Sequence, residues 1–257
     1  MSGSLIKKAD YDRIAETYDA ARPLSEQTIE VWLRLIAEKV DPSKKVRFLD
    51  LGCGTGRFAV PISTYLGFSV TGVDKSEEMI RRAKAKQGAE NVRWDVQDAM
   101  SMTYPDGSFD AIFISHLLHH VDSPLQVVRE CHRVLGPGGV LLNRYGALED
   151  LDDPEHIFFP EAMEIDKARG ATKAQVEDWF REAGFGNVSS ETIVQRTYLT
   201  AEERLRAVSL KSASALTLID EDAFRRGLEA LGRYVAEHPD DGWLVTDKMT
   251  LTCGYKG

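Results

Sequence analysis

The sequence predicts an α/β fold in which helices cover both faces of a doubly wound, parallel sheet. Between residues 46 and 146, short apolar runs alternate with amphipathic stretches that are long enough for helices. This alternation is typical of parallel strands joined by crossover helices. A turn with three glycines follows the first apolar run, and an aspartate ends or follows each of the first three runs. We therefore expect a ligand site at the carboxyl edge of the sheet.

Five strands and three crossover helices are predicted in this part of the chain. The strand candidates are apolar and β-branched, and the helical stretches carry apolar residues at helical spacing. Ser76 is a suitable N-cap for the second helix, and the Gly-Pro-Gly-Gly run that begins at Gly136 ends the third. The predicted strands are 46–51, 69–74, 91–96, 109–115 and 139–145, and the predicted helices are 57–66, 77–88 and 124–135.

The remaining elements are less regular and are predicted one by one. Thr172 is the expected N-cap of a helix over 172–183, and residues 201–237 contain two helices divided around Ile219 and Asp220. Strand character occurs at 187–200 and at 243–255, and residues 1–40 are mostly helical. We expect an N-terminal helical cap (1–45) and a main domain (46–257) with helical insertions at about 147–171 and 201–240.

Composition and charge exclude several classes of protein. The chain has 257 residues, of which 43% are hydrophobic and 28% charged, as in ordinary globular proteins. Its net charge of −9 disfavours a nucleic acid as the main partner. Three widely separated cysteines indicate free thiols in a reducing cytosol rather than disulfides or a metal site. No apolar run reaches the ~20 residues of a membrane span, and no secretory signal is evident, so a cytoplasmic protein is expected.

The glycine turn, within FLDLGCGTGRF, distinguishes two kinds of nucleotide-binding sheet. The dinucleotide fingerprint requires G-x-G-x-x-G, whereas Gly52, Gly54 and Gly56 form G-x-G-x-G. Arg57 stands where the third glycine of the fingerprint belongs, and Asp50 stands where the fingerprint has an apolar residue. A carboxylate there repels a pyrophosphate and attracts an ammonium group. The turn therefore favours a ligand with a cationic group over a dinucleotide.

Three aspartates stand at the ends of three successive predicted strands. Asp50 ends the first, Asp74 ends the second, and Asp98 follows the third. At the edge of a sheet, Asp74 can accept hydrogen bonds from both ribose hydroxyls, and Asp98 from an adenine amino group. Each residue alone can also be explained as a helix cap or turn residue. The set of three indicates one site for a nucleoside.

Several motifs together resemble the class I S-adenosylmethionine-dependent methyltransferases, within them the small-molecule branch similar to ubiquinone and menaquinone C-methyltransferases, which have a methyltransferase type 11 domain. The resemblance covers about residues 11–145, with a weaker match at 182–185. It implies a Rossmann-like sheet of seven strands, the last antiparallel, with extra helices over the acceptor site. The matching motifs are YDRIAETYD (11–19), DLGCGTG (50–56), GVDKSEEMI (72–80), DAMSMTYPDGSFDAI (98–112), SHLLHHVDSP (115–124) and RECHRVLGPGGVLL (129–142).

The resemblance also implies roles for individual residues in binding S-adenosylmethionine. Asp50 would hold the amino group of its methionine part, Asp74 the ribose hydroxyls, and Asp98 with Ala99 the adenine edge. The three glycines, together with Ser115, would lie against the methionine part. Further cofactor contacts implied by the family pattern are Lys75 and Met79 beside the adenine, Tyr11 or Tyr18 over the carboxylate, and Arg22.

Residues after the fourth and fifth strands are candidates for contact with the methyl acceptor. His116 and His119, and less so His120, can act as a base, although a structural role explains them equally. Asn143, Arg144 and Tyr145 end the fifth strand, where substrate contact and an ordinary strand end are both open. Two further sets are weaker: an apolar roof (Phe158, Phe159, Met163, Leu210, Leu216, Leu218) and a positive cluster (Arg204, Arg206, Lys211) that a solvated helix face explains better. No metal site is expected.

The resulting prediction is a methyltransferase that moves the methyl group of S-adenosylmethionine to a small, largely apolar organic acceptor and leaves S-adenosylhomocysteine. The expected protein is a monomer or homodimer. The alternatives are an RNA or protein methyltransferase, a noncatalytic protein that binds the cofactor or its product, and a nicotinamide-dependent oxidoreductase. Arg57 and Asp50 disfavour the last of these.

Overall fold

A seven-stranded sheet organises the residues that the computed structural model describes, which are Asp19 and residues 24–257. The strands are Arg47–Leu51 (β1), Ser69–Asp74 (β2), Arg93–Val96 (β3), Phe109–Ser115 (β4), Leu135–Tyr145 (β5), Phe185–Arg196 (β6) and Thr246–Lys256 (β7). Their order across the sheet is β3-β2-β1-β4-β5-β7-β6. Strands β1 to β5 pair in parallel, and β7 runs antiparallel between β5 and β6. The predicted fold class, including the antiparallel last strand, is confirmed.

Helices pack on both faces of this sheet. The helices are Glu26–Lys39 (α1), Ala59–Leu66 (α2), Glu77–Lys84 (α3), Pro124–Val134 (α4), Pro154–Ile157 (α5), Pro160–Arg169 (α6), Lys173–Glu182 (α7), Ala201–Ser209 (α8) and Glu221–Glu237 (α9). Helices α1 and α2 bury one face of the sheet over Phe48, Phe113 and Leu142, and helices α4 and α7 bury the other over Leu49, Ile112 and their neighbours. Among residues 24–257, no helix is long and apolar enough to cross a membrane.

The predicted element boundaries are mostly right, and the differences have local causes. Ser76 and Thr172 cap α3 and α7 as expected, and Thr172 forms a full capping box with Gln175. Pro61 is the third residue of α2, where its missing N–H removes no intrahelical bond. Strand β3 is shorter than predicted because residues 89–91 form a 3₁₀ turn, and β7 starts later because residues 242–245 form another.

A third hydrophobic core lies outside the two layers of the sheet. It is built from α6, α8 and α9 and from the segments beside them, with Phe159, Leu216 and Leu231 fully buried. The two ranges predicted as helical insertions both contribute helices to this core. The division into an N-terminal cap and a main domain stays a prediction.

Two glycines in α9 provide a test of this third core. A Cβ on Gly227 would lie 2.5 Å from Cε1 of Phe159 and 2.7 Å from the carbonyl oxygen of Phe158, whereas a Cβ on Gly232 would touch nothing closer than 4.0 Å. We expect Gly227→Ala to lower the free energy of unfolding by about 1–3 kcal/mol through overpacking. Gly232→Ala should raise it by about 0.5–1 kcal/mol, because alanine favours the helix.

Urea denaturation of the two variants, which change the same helix by the same methyl group, measures both effects. Equal shifts in the two variants would contradict the close approach of α9 to Phe159.

Candidate functional site

A cavity of about 310 Å³ opens at the carboxyl ends of β1, β4 and β5. It lies where the chain reverses its direction of travel across the sheet, between β1 and β4, which is where doubly wound sheets bind ligands. Ten of the candidate donor and acceptor contacts predicted from the sequence line it: Asp50, Gly52, Gly54, Ser115, His116, His119, His120, Asn143, Arg144 and Tyr145.

Other predicted site residues lie elsewhere. Gly56, Asp74, Lys75, Met79, Asp98 and Ala99 do not line this cavity. Gly56 lies in the turn after β1, Asp74 and Lys75 lie at the end of β2, and Asp98 and Ala99 follow β3. Met79 is buried within α3, and Lys75 is exposed. Tyr11, Tyr18 and Arg22 lie outside the described residues.

The three glycines of the turn serve different purposes. All have positive φ angles, of 73° at Gly52, 53° at Gly54 and 75° at Gly56, which glycine adopts without strain. A Cβ on Gly56 would lie 2.5 Å from the ring of Trp94, and one on Gly52 would lie 3.1 Å from Leu117. A Cβ on Gly54 would meet nothing within 4 Å. Gly54 is therefore the glycine that leaves backbone open toward the cavity, while Gly56 makes room for Trp94.

Asp50 is a buried carboxylate with one unsatisfied oxygen. Its residue is 2% exposed, and its Oδ2 has no hydrogen-bond partner among the described residues. Burial raises the pKa of Asp50 to about 7, the negative charge of Asp74 adds to this, and a hydrogen bond from the backbone N–H of Ala59 opposes it. Ala59 is the first residue of α2, so the Asp50 carboxylate caps this helix. Its Oδ2 keeps the capacity to accept a further hydrogen bond.

Asp74 ties the glycine turn to the end of β2. Its Oδ2 accepts a hydrogen bond from the N–H of Gly54 at 2.9 Å, and its Oδ1 accepts one from the N–H of Ser76 at 3.0 Å. Burial raises the pKa of Asp74, against the effect of these two N–H groups. A carboxylate has about four lone-pair positions, so two accepted bonds leave room for hydroxyl donors.

Asp98 is exposed, and its Oδ1 accepts a hydrogen bond from the N–H of Met100 at 2.8 Å. This is the arrangement of a local turn, which was the alternative explanation of Asp98. Its second oxygen has no such bond to the described residues, so a ligand contact is compatible with the turn.

The histidines after β4 form a group of rings in contact at one wall of the cavity. The ring centroids of His119 and His120 are 3.9 Å apart, and those of His116 and His119 are 6.1 Å apart. His116 has a φ of 55°, and its N–H donates to the carbonyl oxygen of Arg144 at 2.9 Å. Burial lowers the pKa of His119 to about 4, and the positive charge of Arg169 adds to this effect. His119 is therefore neutral at pH 7.

Arg144 and Tyr145 end β5 on opposite faces of the sheet. The guanidinium of Arg144 lies 4.8 Å from the ring centroid of Trp32 and donates to Ser115 Oγ at 3.2 Å. The hydroxyl of Tyr145 is 3.2 Å from Oγ1 of Thr252, and burial raises the pKa of Tyr145 to about 12. Tyr145 is therefore a protonated phenol at neutral pH and not a base.

A chain of charged groups from the first insertion forms another part of the cavity wall. His156 Nδ1 is 2.7 Å from Asp153 Oδ2, and His156 Nε2 is 3.1 Å from Asp166 Oδ2. Arg169 donates to Asp166 Oδ1 at 2.7 Å and to Ser214 Oγ at 2.5 Å. Burial alone would lower the pKa of His156, but hydrogen bonds to the two aspartates and their charges outweigh it and raise the pKa to about 10.

The apolar residues considered as a roof do not line the cavity; Phe159 and Leu216 belong to the third core. The expectation about Arg204 is wrong. Arg204 does not lie on a solvated helix face: its side chain is 1% exposed and donates to Glu155 Oε2 at 2.5 Å and Asp247 Oδ1 at 2.7 Å. Arg204 lines the cavity as part of this closed ionic group, whereas Arg206 is exposed.

Sequence reasoning did not assign the groups around His156, Arg169 and Arg204 to the site. These residues come from segments without a family pattern, and each has a partner that is 10 to 49 positions away. No periodicity or motif reports such distant pairings. Among the described residues, no group of three or more histidine, cysteine, aspartate or glutamate side chains is arranged to hold a metal ion.

Comparison with known proteins identifies the family. A family described as "Methyltransferase domain" matches residues 49–143. The 27-O-demethylrifamycin SV methyltransferase of Amycolatopsis mediterranei is 31% identical over 218 residues, which are 77% of this chain and 75% of that protein. The demethylmenaquinone methyltransferase of Staphylococcus epidermidis is 27% identical over 190 residues, 71% of this chain and 79% of that one.

Solved structures agree in fold. A protein from Anabaena variabilis, described as a methyltransferase from an antibiotic biosynthesis pathway, has a TM-score of 0.74 at 19% identity and covers 87% of this chain and 96% of its own. Other structures that share the fold hold S-adenosylmethionine or S-adenosylhomocysteine.

The chain belongs to the methyltransferase family. It is an S-adenosylmethionine-dependent enzyme that methylates a small acceptor, and the resemblance to the small-molecule branch is confirmed.

The clamp of His156 between two aspartates gives a pH dependence. Because its pKa is raised from 6.5 to about 10 in the folded protein, protonated His156 stabilises the fold fully below pH 6.5 and loses this effect as the pH rises through 10. We expect His156→Asn to lower the free energy of unfolding by a few kcal/mol at pH 6 and by much less at pH 10.

Urea denaturation of both proteins at pH 6, 8 and 10 measures this difference. The exposed His238, replaced by asparagine in the same way, controls for the loss of an imidazole. A destabilisation by His156→Asn that is equal at all three pH values would contradict the charged clamp.

Proposed function

We propose that the open side of the glycine turn binds the methionine part of S-adenosylmethionine and that the adjoining cavity holds the methyl acceptor. The observation that carries this proposal is the buried Oδ2 of Asp50, which has no partner among the described residues and belongs to a residue that lines the cavity together with Gly54. An unpaired buried carboxylate is unfavourable, and an ammonium group would relieve it. Gly54 leaves the space that a close-lying ligand requires.

The remaining contacts to S-adenosylmethionine are proposed for residues at the carboxyl edge of the sheet. Asp74 keeps lone pairs for two ribose hydroxyls, and exposed Asp98 with Ala99 would meet the adenine at the end of β3. Ser115 and Gly52 would border the methionine part, and Lys75 and Met79 the adenine. Tyr11, Tyr18 and Arg22 are proposed as contacts on the grounds of the family pattern alone.

S-adenosylmethionine, when bound, supplies a methyl group that its sulfonium charge has already activated. The protein therefore has to align the acceptor and keep water away, which can contribute roughly 7–11 kcal/mol to lowering the barrier. The walls built by His156, Arg169 and Arg204 are fixed by hydrogen bonds from several segments. Such fixed walls suit the alignment of a bound acceptor.

We propose His119 as the group that receives a proton from the acceptor. It lines the cavity and is neutral at pH 7, and the nearby Arg169 favours a negative charge on the acceptor. With a pKa of about 4, His119 is a weak base. It suits an acceptor group that is itself acidic, or one that it only orients by accepting a hydrogen bond. His116 and His120 are proposed as acceptor contacts beside it, with Arg144.

The finer points of location and assembly stay proposals. A cytoplasmic location is supported by the three free cysteines, all of which are buried. A small acceptor, rather than a nucleic acid, is supported by the enclosed cavity and by the net charge of −9. Whether the enzyme is a monomer or a homodimer is a matter for sedimentation analysis.

Calorimetric titration with S-adenosylmethionine, and separately with NAD, tests the donor site. We expect binding of the former only. Because the pKa of Asp50 is about 7 without ligand, its ionised form increases with pH, and the affinity for the cationic donor should rise by up to about tenfold per pH unit below pH 7. Asp50→Asn should bind more weakly and lose this pH dependence. Binding of NAD alone, or an unchanged pH profile in Asp50→Asn, would refute the proposed site.

Alanine variants at two glycines distinguish the loss of a ligand contact from the effect of backbone strain. Gly54 and Gly67 have φ angles of 53° and 68°, and a Cβ on either would meet nothing within 4 Å, but only Gly54 lines the cavity. Alanine at either position should lower stability by about 1–2 kcal/mol. We expect Gly54→Ala to weaken S-adenosylmethionine binding at least roughly tenfold, since its methyl group occupies ligand space. Gly67→Ala should bind normally, and equal losses in both variants would contradict the contact at Gly54.

A further inference from the structure

Asn143 is a buried polar residue at the end of an apolar run in β5. It follows Val140, Leu141 and Leu142 in β5 and pairs with Ile114 of β4 and Thr252 of β7, near the middle of the sheet. Its residue is 1% exposed, and it lines the cavity. Neither its amide nitrogen nor its amide oxygen has a hydrogen-bond partner among residues 24–257 and Asp19.

The polar neighbours of Asn143 are already engaged with one another. Thr252, directly opposite in the sheet, has its Oγ1 3.2 Å from the hydroxyl of Tyr145 and 2.7 Å from Oγ of Ser190. Asn143 thus stands beside a satisfied network without taking part in it. A buried amide that makes no hydrogen bond destabilises a protein relative to an apolar residue of similar shape. Something that enters the cavity must pair with it.

The chemistry of that partner follows from the amide and its surroundings. An amide offers both a donor and an acceptor, and a hydroxyl group complements both. The cavity wall on this side of the sheet also contains apolar residues, namely Leu118, Leu148, Ala171, Val176 and Trp179. These residues suit an apolar body, and Asn143 suits one polar group attached to it.

We propose that Asn143 anchors a hydroxyl group on a largely apolar methyl acceptor and thereby determines acceptor specificity. This proposal rests on the proposed function, because it assigns the acceptor to the same cavity. It makes Asn143 a residue that reduces the stability of the empty enzyme and is satisfied only when the acceptor is bound.

A matched pair of probes tests the proposal. 1-Naphthol and 1-methylnaphthalene differ in whether the substituent is a hydroxyl or a methyl group. We expect the wild-type enzyme, saturated with S-adenosylhomocysteine, to bind 1-naphthol at least roughly tenfold more tightly in calorimetric titration, as one buried hydrogen bond can provide. Asn143→Leu should bind the two probes with affinities within about twofold of each other.

Thermal unfolding adds a second test, because a purely structural role of Asn143 predicts that its replacement lowers the Tm, whereas the proposal predicts that the Tm rises. Asn143→Leu should raise the Tm of the ligand-free enzyme by about 2–4 °C, since it removes an unpaired buried group. The control Thr252→Val breaks satisfied hydrogen bonds beside it and should lower the Tm while keeping the preference for 1-naphthol.

Two outcomes overturn the inference: no preference for 1-naphthol in the wild-type enzyme, which needs no variant to observe, or a preference that survives in Asn143→Leu. Both leave the proposed function standing as long as S-adenosylhomocysteine binds. Failure of S-adenosylhomocysteine to bind would refute the donor site itself.

Discussion

The desolvated carboxylates at the glycine turn are the constraint on which the rest of the site depends. Asp50 and Asp74 lie close enough for the charge of one to raise the pKa of the other, and burial raises both. Backbone N–H groups of the turn and of α2 hold them in place, so the two acids fix the path of the chain from β1 into the first helix. Oδ2 of Asp50 has no partner among the described residues, and Asp74 accepts two backbone N–H bonds. In the proposed function, the ammonium group and the ribose hydroxyls of the methyl donor use the acceptor capacity that remains.

The order of the strands explains why this incomplete edge becomes a cavity. The chain builds β2 and β3 on one side of β1 and then returns to place β4 and β5 on the other. The connections therefore leave β1 and β4 in opposite directions, and a crevice opens between them. The segments after β5 and β6 cover that crevice, since their helices form a separate core and send His156, Arg169 and Arg204 into the cavity wall.

The sequence predicted those parts of the structure that depend on local patterns. Alternating apolar runs located the strands to within a few residues, and Asp50, the aspartate in the first of them, lines the cavity at the carboxyl edge of the sheet. What the sequence could not predict depends on contacts between segments that are far apart in the chain. Gly56 looks equivalent to Gly54 in the sequence, yet Trp94, which is 38 positions away, accounts for Gly56. Arg204 lies on an amphipathic helix, and only the folding of Glu155 and Asp247 around it shows that its charge is buried. Contacts between distant segments leave no periodic signal.

The pattern of paired and unpaired groups in the cavity indicates how the acceptor is recognised. Apart from Asp50, the acidic residues of its wall have ionic partners: Asp150 pairs with Lys173, Glu155 and Asp247 with Arg204, and Asp153 and Asp166 with His156. Each of these five carboxylates is therefore already engaged by a cation of the protein and does not need a charged acceptor as its partner. Asp50 and Asn143 are the lining residues with buried side-chain oxygens that no described residue satisfies. In the proposed function Asp50 complements the cationic donor, which leaves Asn143 to recognise the acceptor by a neutral hydrogen bond.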